Sequence, residues 1–147
     1  MKLALTFAVL LIPAATLLLP AGAALAQAPA KPATPAPFSV TRRVGDTVYL
    51  SGTIGTDPAV GKPPADPAVE AQQLLANVKK ALAAEGMTLD DLVSVTVFCT
   101  DMKLYALFNK VYVGEFHQPY PARAFIGVNE LVFGSHFELM GVAIHKP

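Results

Sequence analysis

From residue 38 onward the apolar and polar positions follow two periods, and the switches between them lay out the chain. "FSVTRRVGDTVYLSGTIG" reads as two short strands around Gly45-Asp46, because a glycine-first dipeptide between alternating residues suits a tight type II′ hairpin. On the second strand Val48 and Leu50 share one face, and Tyr49 and Ser51 take the other. The loop "TDPAVGKPPADP" holds four prolines and a glycine, so no element continues through it. Asp66 is an N-cap signal, Pro67 suits the first helical position and Gly86 the C′ position, which predicts a helix over "AVEAQQLLANVKKALAAEG". Leu74, Leu75, Val78 and Leu82 recur at helical spacing as its core stripe, and Glu70, Gln73 and Lys80 are assigned to its polar face.

"LVSVTVFCT" alternates strictly, with Val93, Val95, Val97 and Cys99 on one face and Ser94, Thr96, Phe98 and Thr100 on the other. The apolar face belongs under helices; the mixed one meets solvent or another subunit. Asp101 caps a second helix, "MKLYALFNKVYVGEF", with Leu104, Leu107, Phe108 and Val111 as its buried stripe. After "HQPYP" come two last strands, "YPARAFIGV" and "HFELMGVAI". Strand, strand, helix, strand, helix, strand, strand predicts an α+β fold, a two-layer sandwich in which two helices cover a small sheet.

The first residues follow neither period. "MKLALTFAVLLIPAATLLLPAGAALAQ" joins Lys2 to a long apolar run and the small-residue site Ala24-Leu25-Ala26, the pattern of a secretory signal peptide over residues 1–26. Pro13, Pro20 and Gly22 interrupt the run, which speaks against a retained membrane anchor. "QAPAKPATPAP", residues 27–37, buries too little apolar area to offset its ordering entropy and reads as a linker. Residues 38–147 remain as one domain. The expected destination is the bacterial periplasm or the exterior, with no membrane attachment after cleavage.

Charge and cysteine content narrow the chemistry. Lys+Arg 11 against Asp+Glu 11 gives a formal net charge of zero, without the basic footprint of a nucleic-acid binder. Cys99 is the only cysteine, so no intramolecular disulfide is possible, and its place on an apolar strand face marks it as core. His117, His136 and His145 lack metal-ligand spacing, so neither a metal nor a cofactor is expected.

Arg123 and Glu138 are each the single charge in an otherwise apolar strand. A guanidinium stays charged at any working pH and, half-buried, needs an anion from the protein or from a ligand. If the last two strands share a sheet, the two side chains can approach, either as a salt bridge that fixes strand register or as the flanks of a small polar cleft. The pattern leaves both readings open.

Tract by tract, the domain resembles the RidA/YjgF family of reactive-intermediate deaminases. The similarity runs through "YLSGTIGTDP", "EAQQLLANVKKALAAEGMTLDDLVSVTVFCTDM", "FNKVYVGEF", "YPARAFIGV" and "FELMGVAI", and its most specific element is Pro-Ala-Arg with a glutamate fifteen positions after the arginine. The resemblance implies a chorismate-mutase-like subunit with a mixed sheet, assembled as a homotrimer with clefts at the subunit interfaces. It also implies hydrolysis of amino-acid-derived imines or enamines, such as 2-aminoacrylate, to 2-keto acids and ammonia. On that footing Arg123 would grip the substrate carboxylate and Glu138 would activate water, with backbone groups around Arg123 and Phe125 helping to fix it. Ser51, Gly52 and Asn109 match positions that border the cleft, Asn109 as support. Phe38 stands where a cleft tyrosine is common, Thr53 where glutamine is frequent, and Ala124 and Phe125 where Ser-Cys is frequent, which makes the pocket more apolar and admits bulkier side chains. A binding module for small carboxylates would use Arg123 without needing Glu138, and a holdase-like interaction protein would need neither.

Overall fold

The computed structural model describes residues 37–145. The expected signal peptide, residues 1–26, and all of the expected linker but Pro37 lie outside the described residues.

Strands β1 (Thr41–Val44) and β2 (Thr47–Ile54) form the predicted hairpin. Gly45 takes φ 60° while Asp46 stays at negative φ, as a type II′ turn requires. Helix α1 (Pro67–Ala83) starts where Asp66 accepts the N–H groups of Ala68 and Val69. It closes with Gly86 N–H on the Ala83 carbonyl and Met87 N–H on the Leu82 carbonyl, both at 3.0 Å. That double closure needs a left-handed residue, and Gly86 supplies it with φ 70°.

Strand β3 (Leu92–Cys99) leads through an Asp101-capped 3₁₀ turn into helix α2 (Tyr105–Glu115), and the chain returns as β4 (Ala122–Gly127) parallel to β3. A parallel return needs such a crossover. The last strand, β5 (Phe137–Ile144), inserts between β2 and β3, antiparallel to both, so the sheet order is β1-β2-β5-β3-β4.

Both helices cover one face of this mixed sheet. Val48, Leu50, Val95, Val97, Cys99, Phe137 and Leu139 meet Leu74, Leu75, Val78 and Leu82 of α1 and Phe108 of α2, all buried. Truncating one of these leucines to alanine costs about 2 to 5 kcal/mol. On the other face Tyr49, Ile126, Met140 and Ile144 are 41 to 51% exposed. The sheet is thus bare on the side where the sequence called for solvent or another subunit.

Three details depart from the sequence reading. Val93 is exposed, because the register shifts between Leu92 and Ser94 and Leu92 takes the buried place. In α2 Phe108 is buried as expected, but Tyr112 completes the stripe while Leu104, Leu107 and Val111 are only partly covered. Glu70 does not lie on the polar face of α1: it is fully buried. Its carboxylate accepts the backbone N–H of His136 at 2.7 Å and of Phe137 at 3.0 Å, and faces the His136 ring Nδ1 at 2.6 Å. A buried carboxylate without such partners would cost several kcal/mol.

Candidate active site

Arg123 sits on the edge strand β4 opposite Val95 of β3, and Phe125 opposite Val97, so both face the helix layer. Its Nη2 donates to Asn109 Oδ1 of α2 at 2.7 Å. The guanidinium carbon lies 4.6 Å from the Tyr112 ring centroid, 5.7 Å from that of Phe125 and 5.9 Å from that of Tyr105. Cation–π attraction and the Asn109 hydrogen bond together orient the guanidinium within an aromatic sleeve. Phe125 is itself fixed edge-on to Tyr105 at 4.9 Å and to Phe108 at 5.4 Å, so the residue that departs from the family pattern builds the wall of that sleeve.

A cavity of about 310 Å³ opens here, lined by Asn109, Tyr112, Val113, Tyr120, Pro121 and Arg123. The Tyr112 hydroxyl is buried without a hydrogen-bond partner. Burial pushes its pKa up to about 12 although Arg123 acts in the opposite direction, so it stays protonated at neutral pH. A hydrogen bond with Asn109, helped by Arg123, holds the Tyr105 hydroxyl below the ordinary tyrosine value.

Glu138 belongs to the bare face. It pairs with Phe98 of β3 and Ile54 of β2, and alternates with the buried Phe137 and Leu139. Beside it the register of β2 shifts between Leu50 and Thr53, which brings Gly52 under the carboxylate. A β-carbon on residue 52 would stand 1.7 Å from Glu138 Oε1 and 2.9 Å from its Cδ. Only glycine leaves the carboxylate that place. Ser51 adjoins, its N–H bonded to the Val40 carbonyl at 3.0 Å and its own carbonyl accepting from the Thr53 hydroxyl at 3.2 Å. Just beyond, Asn77 of α1 donates to the Ile54 and Thr56 carbonyls and holds the end of β2.

Arg123 and Glu138 share the sheet but do not meet within the chain. Strand β3 lies between theirs, and the partners Val95↔Arg123 and Phe98↔Glu138 differ by an odd number of residues, which puts the two side chains on opposite faces. Two strand spacings, about 10 Å, and a further three residues along the strands separate their backbones. No ion pair joins them, so the register-fixing salt bridge left open by the sequence pattern is absent from the chain. Phe38 stands exposed ahead of β1, at the opposite edge of the sheet from β4. Arg123, Asn109 and Phe125 thus form one group and Glu138, Gly52 and Ser51 another, with Phe38 apart from the first.

Sequence reasoning missed Glu70, Tyr105 and Tyr112. Tyr105 and Tyr112 lie four residues before and three after Asn109, and therefore on its side of α2, a spacing that could have revealed the sleeve. Among the described residues, no group of three or more His, Cys, Asp or Glu side chains is arranged to hold a metal ion.

Fold and site define a two-layer α+β protein with a caged arginine at the rim of its sheet and a glycine-seated glutamate on its bare face. The chain belongs to the family described as Endoribonuclease L-PSP, which matches residues 28–145 and is the RidA/YjgF family. It is 36% identical over 117 residues to a bovine protein named 2-iminobutanoate/2-iminopropanoate deaminase, covering 79% of this chain and 85% of the relative. Among solved structures it resembles RidA from the Antarctic bacterium Psychrobacter sp., with a TM-score of 0.73 and 34% identity, covering 78% of this chain and 93% of the other. It also resembles E. coli TdcF with bound serine, with a TM-score of 0.73 and 33% identity over the same shares of the two chains.

Proposed function

We propose that this protein is an imine deaminase that hydrolyses 2-imino acids and their enamine tautomers to 2-keto acids and ammonia, in clefts formed between copies of the chain in a homotrimer. The observation that carries the reading is the placement of Arg123 and Glu138: each is built into the sheet by dedicated neighbours, yet on opposite faces, as two half-sites that a second copy must unite. The bare, partly apolar sheet face supplies a surface for that copy. Relatives named 2-iminobutanoate/2-iminopropanoate deaminase, and serine in the TdcF structure, support a small substrate bearing a carboxylate.

The chemistry follows from the residue types. Arg123 takes the substrate carboxylate through two parallel hydrogen bonds and fixes the C=N carbon. Glu138 removes a proton from water as its oxygen bonds to that carbon and the π electrons move to nitrogen. Protonated Glu138 then returns the proton to the nitrogen. Glu138 next carries the carbinolamine's hydroxyl proton to the nitrogen, the C–N bond breaks as the C=O bond forms, and ammonia leaves a 2-keto acid. Ser51 and Gly52 border the water site and Asn109 aims the arginine. The 310 Å³ cavity and the apolar Phe38 and Phe125 accommodate side chains larger than that of 2-aminoacrylate. The export pattern of residues 1–26 supports action in the periplasm or outside the cell.

The test is hydrolysis of 2-iminobutanoate, generated in situ by an amino-acid oxidase, by the intact protein and by Arg123→Ala and Glu138→Gln. Both variants should lose turnover, Arg123→Ala with carboxylate binding and Glu138→Gln without it. A Glu138→Gln protein of full activity would remove the water-activating role, and an intact protein without turnover would leave a binding protein or a holdase.

A further inference from the structure

Glu70 stands apart from both half-sites, and nothing in the proposed reaction uses it, yet it is the only fully buried charged side chain among the described residues. Its surroundings are built for it. One carboxylate oxygen accepts two consecutive backbone N–H groups, of His136 at 2.7 Å and Phe137 at 3.0 Å, and the other faces His136 Nδ1 at 2.6 Å. The residue that follows Phe137 is Glu138. On the opposite side, α1 approaches β2 so closely that a β-carbon on Gly55 would lie 2.4 Å from the Glu70 carbonyl oxygen and 2.7 Å from its Cγ. One turn-pair further along the helix, Asn77 ties down the Ile54 and Thr56 carbonyls at the end of β2. The strand ends that carry Glu138 and Gly52 are therefore both moored to α1.

We infer that Glu70 is a positioning residue for Glu138: by gripping the N–H groups of His136 and Phe137, where the chain enters β5, it sets where the Glu138 carboxylate lies over Gly52. The geometry favours this over mere filling of the core. An apolar side chain at residue 70 would leave the N–H groups of His136 and Phe137 without this acceptor, whereas the carboxylate clamp fixes the strand along its own axis at the position next to Glu138. Displacements of about 1 Å at a reacting group can cost on the order of a hundredfold in rate.

The inference rests on the proposed role of Glu138, and the experiment separates the two. Turnover of 2-iminobutanoate by the full protein is measured for Glu70→Asp, Glu70→Gln and Glu138→Gln, normalised to folded protein, with amide hydrogen exchange of residues 136–139 followed in parallel. Glu70→Asp keeps the charge but withdraws the acceptor by one methylene; kcat should fall roughly tenfold to a hundredfold, KM should stay within about threefold because Arg123 is untouched, and exchange at 136 and 137 should quicken. Glu70→Gln keeps an acceptor oxygen for both N–H groups and should recover most of kcat. Full kcat per folded Glu70→Asp molecule, an equal loss in kcat/KM through KM, or failure of glutamine to rescue would overturn the inference while a large Glu138→Gln loss leaves the proposed function standing. An undiminished Glu138→Gln protein would overturn both. Should Glu70→Asp not fold, His136→Ala, which removes one of the three partners and keeps the two backbone bonds, must show kcat close to Glu70→Gln; a larger loss than Glu138→Gln would refute the clamp.

Discussion

The Glu138 carboxylate occupies the space that a side chain at residue 52 would fill, with Oε1 1.7 Å from the position of a β-carbon on Gly52. The displaced atom is the far end of a flexible side chain, so Gly52→Ala should cost the fold little, about 1 kcal/mol or less, while pushing the carboxylate off its place. Turnover should fall by at least tenfold with a nearly unchanged melting temperature. Gly55→Ala is the contrast: there the obstruction is the backbone carbonyl of Glu70 at 2.4 Å, which cannot swing aside. That variant should lose roughly 1 to 3 kcal/mol of stability. Thermal melting beside the imine assay checks both, and equal behaviour of the two variants would refute the distinction.

Among the described residues Arg123 has no carboxylate partner; its partners are Asn109 and three aromatic rings. Arg123→Ala therefore leaves no stranded buried charge, and the melting temperature should move far less than the about 3 to 5 kcal/mol that breaking a buried ion pair would cost. Catalytic efficiency should fall by about 2 to 5 kcal/mol of transition-state stabilisation. Arg123→Lys keeps a cation over Tyr112 but loses the two-pronged grip and should stay strongly impaired.

Tyr112 gives the protein an alkaline limit. Its hydroxyl titrates at about 12 in the folded chain because it is buried, against roughly 10 when unfolded. Below about pH 10 both states keep the proton and this group adds no pH dependence. Between about pH 10 and 12 the unfolded chain ionises while the folded one does not, so stability falls as pH rises through that window. Tyr112→Phe should flatten this slope. It should also hold or raise stability at neutral pH, since it removes a buried hydroxyl without a partner. Denaturant midpoints from pH 8 to 12 would show it; an unaltered slope would place the alkaline transition elsewhere.

Much of this fold was legible because the chain states its elements locally. Asp66-Pro67 and Gly86 bracket α1, Gly45-Asp46 turns the first hairpin, and the alternation of β3 holds over five residues from Val95 to Cys99. Family tracts then pointed to Arg123 and Glu138. The sequence could not show that β5, the last strand, inserts between β2 and β3 instead of lying beside β4, because strand order depends on long-range pairing that no local pattern encodes. That one insertion parts Arg123 from Glu138. Glu70 was misplaced for a different reason: charge was given more weight than position, although residues 70, 74 and 78 fall on one helical stripe. Val93 was lost to a register shift, which leaves no mark in a run of alternating valines.

Opposite faces for Arg123 and Glu138 make a prediction about assembly that no single mutant can test. If each cleft takes its arginine from one copy and its glutamate from another, two inactive proteins should restore each other. Arg123→Ala and Glu138→Gln chains, unfolded together in equal amounts and refolded, should assort at random into the proposed trimers. A cleft is then intact whenever a copy that keeps Arg123 adjoins, in the required direction, a copy that keeps Glu138, which is about one quarter of all clefts. Activity should rise from near zero in each separate preparation to roughly a quarter of the wild-type value in the mixture. Simple mixing without refolding should give less, at a rate set by subunit exchange. Light scattering must show a trimer in every sample. Mixtures that stay as inactive as their parents, while remaining trimeric, would mean that both residues serve the same copy or that no shared cleft exists, and the division of the site between subunits would be wrong.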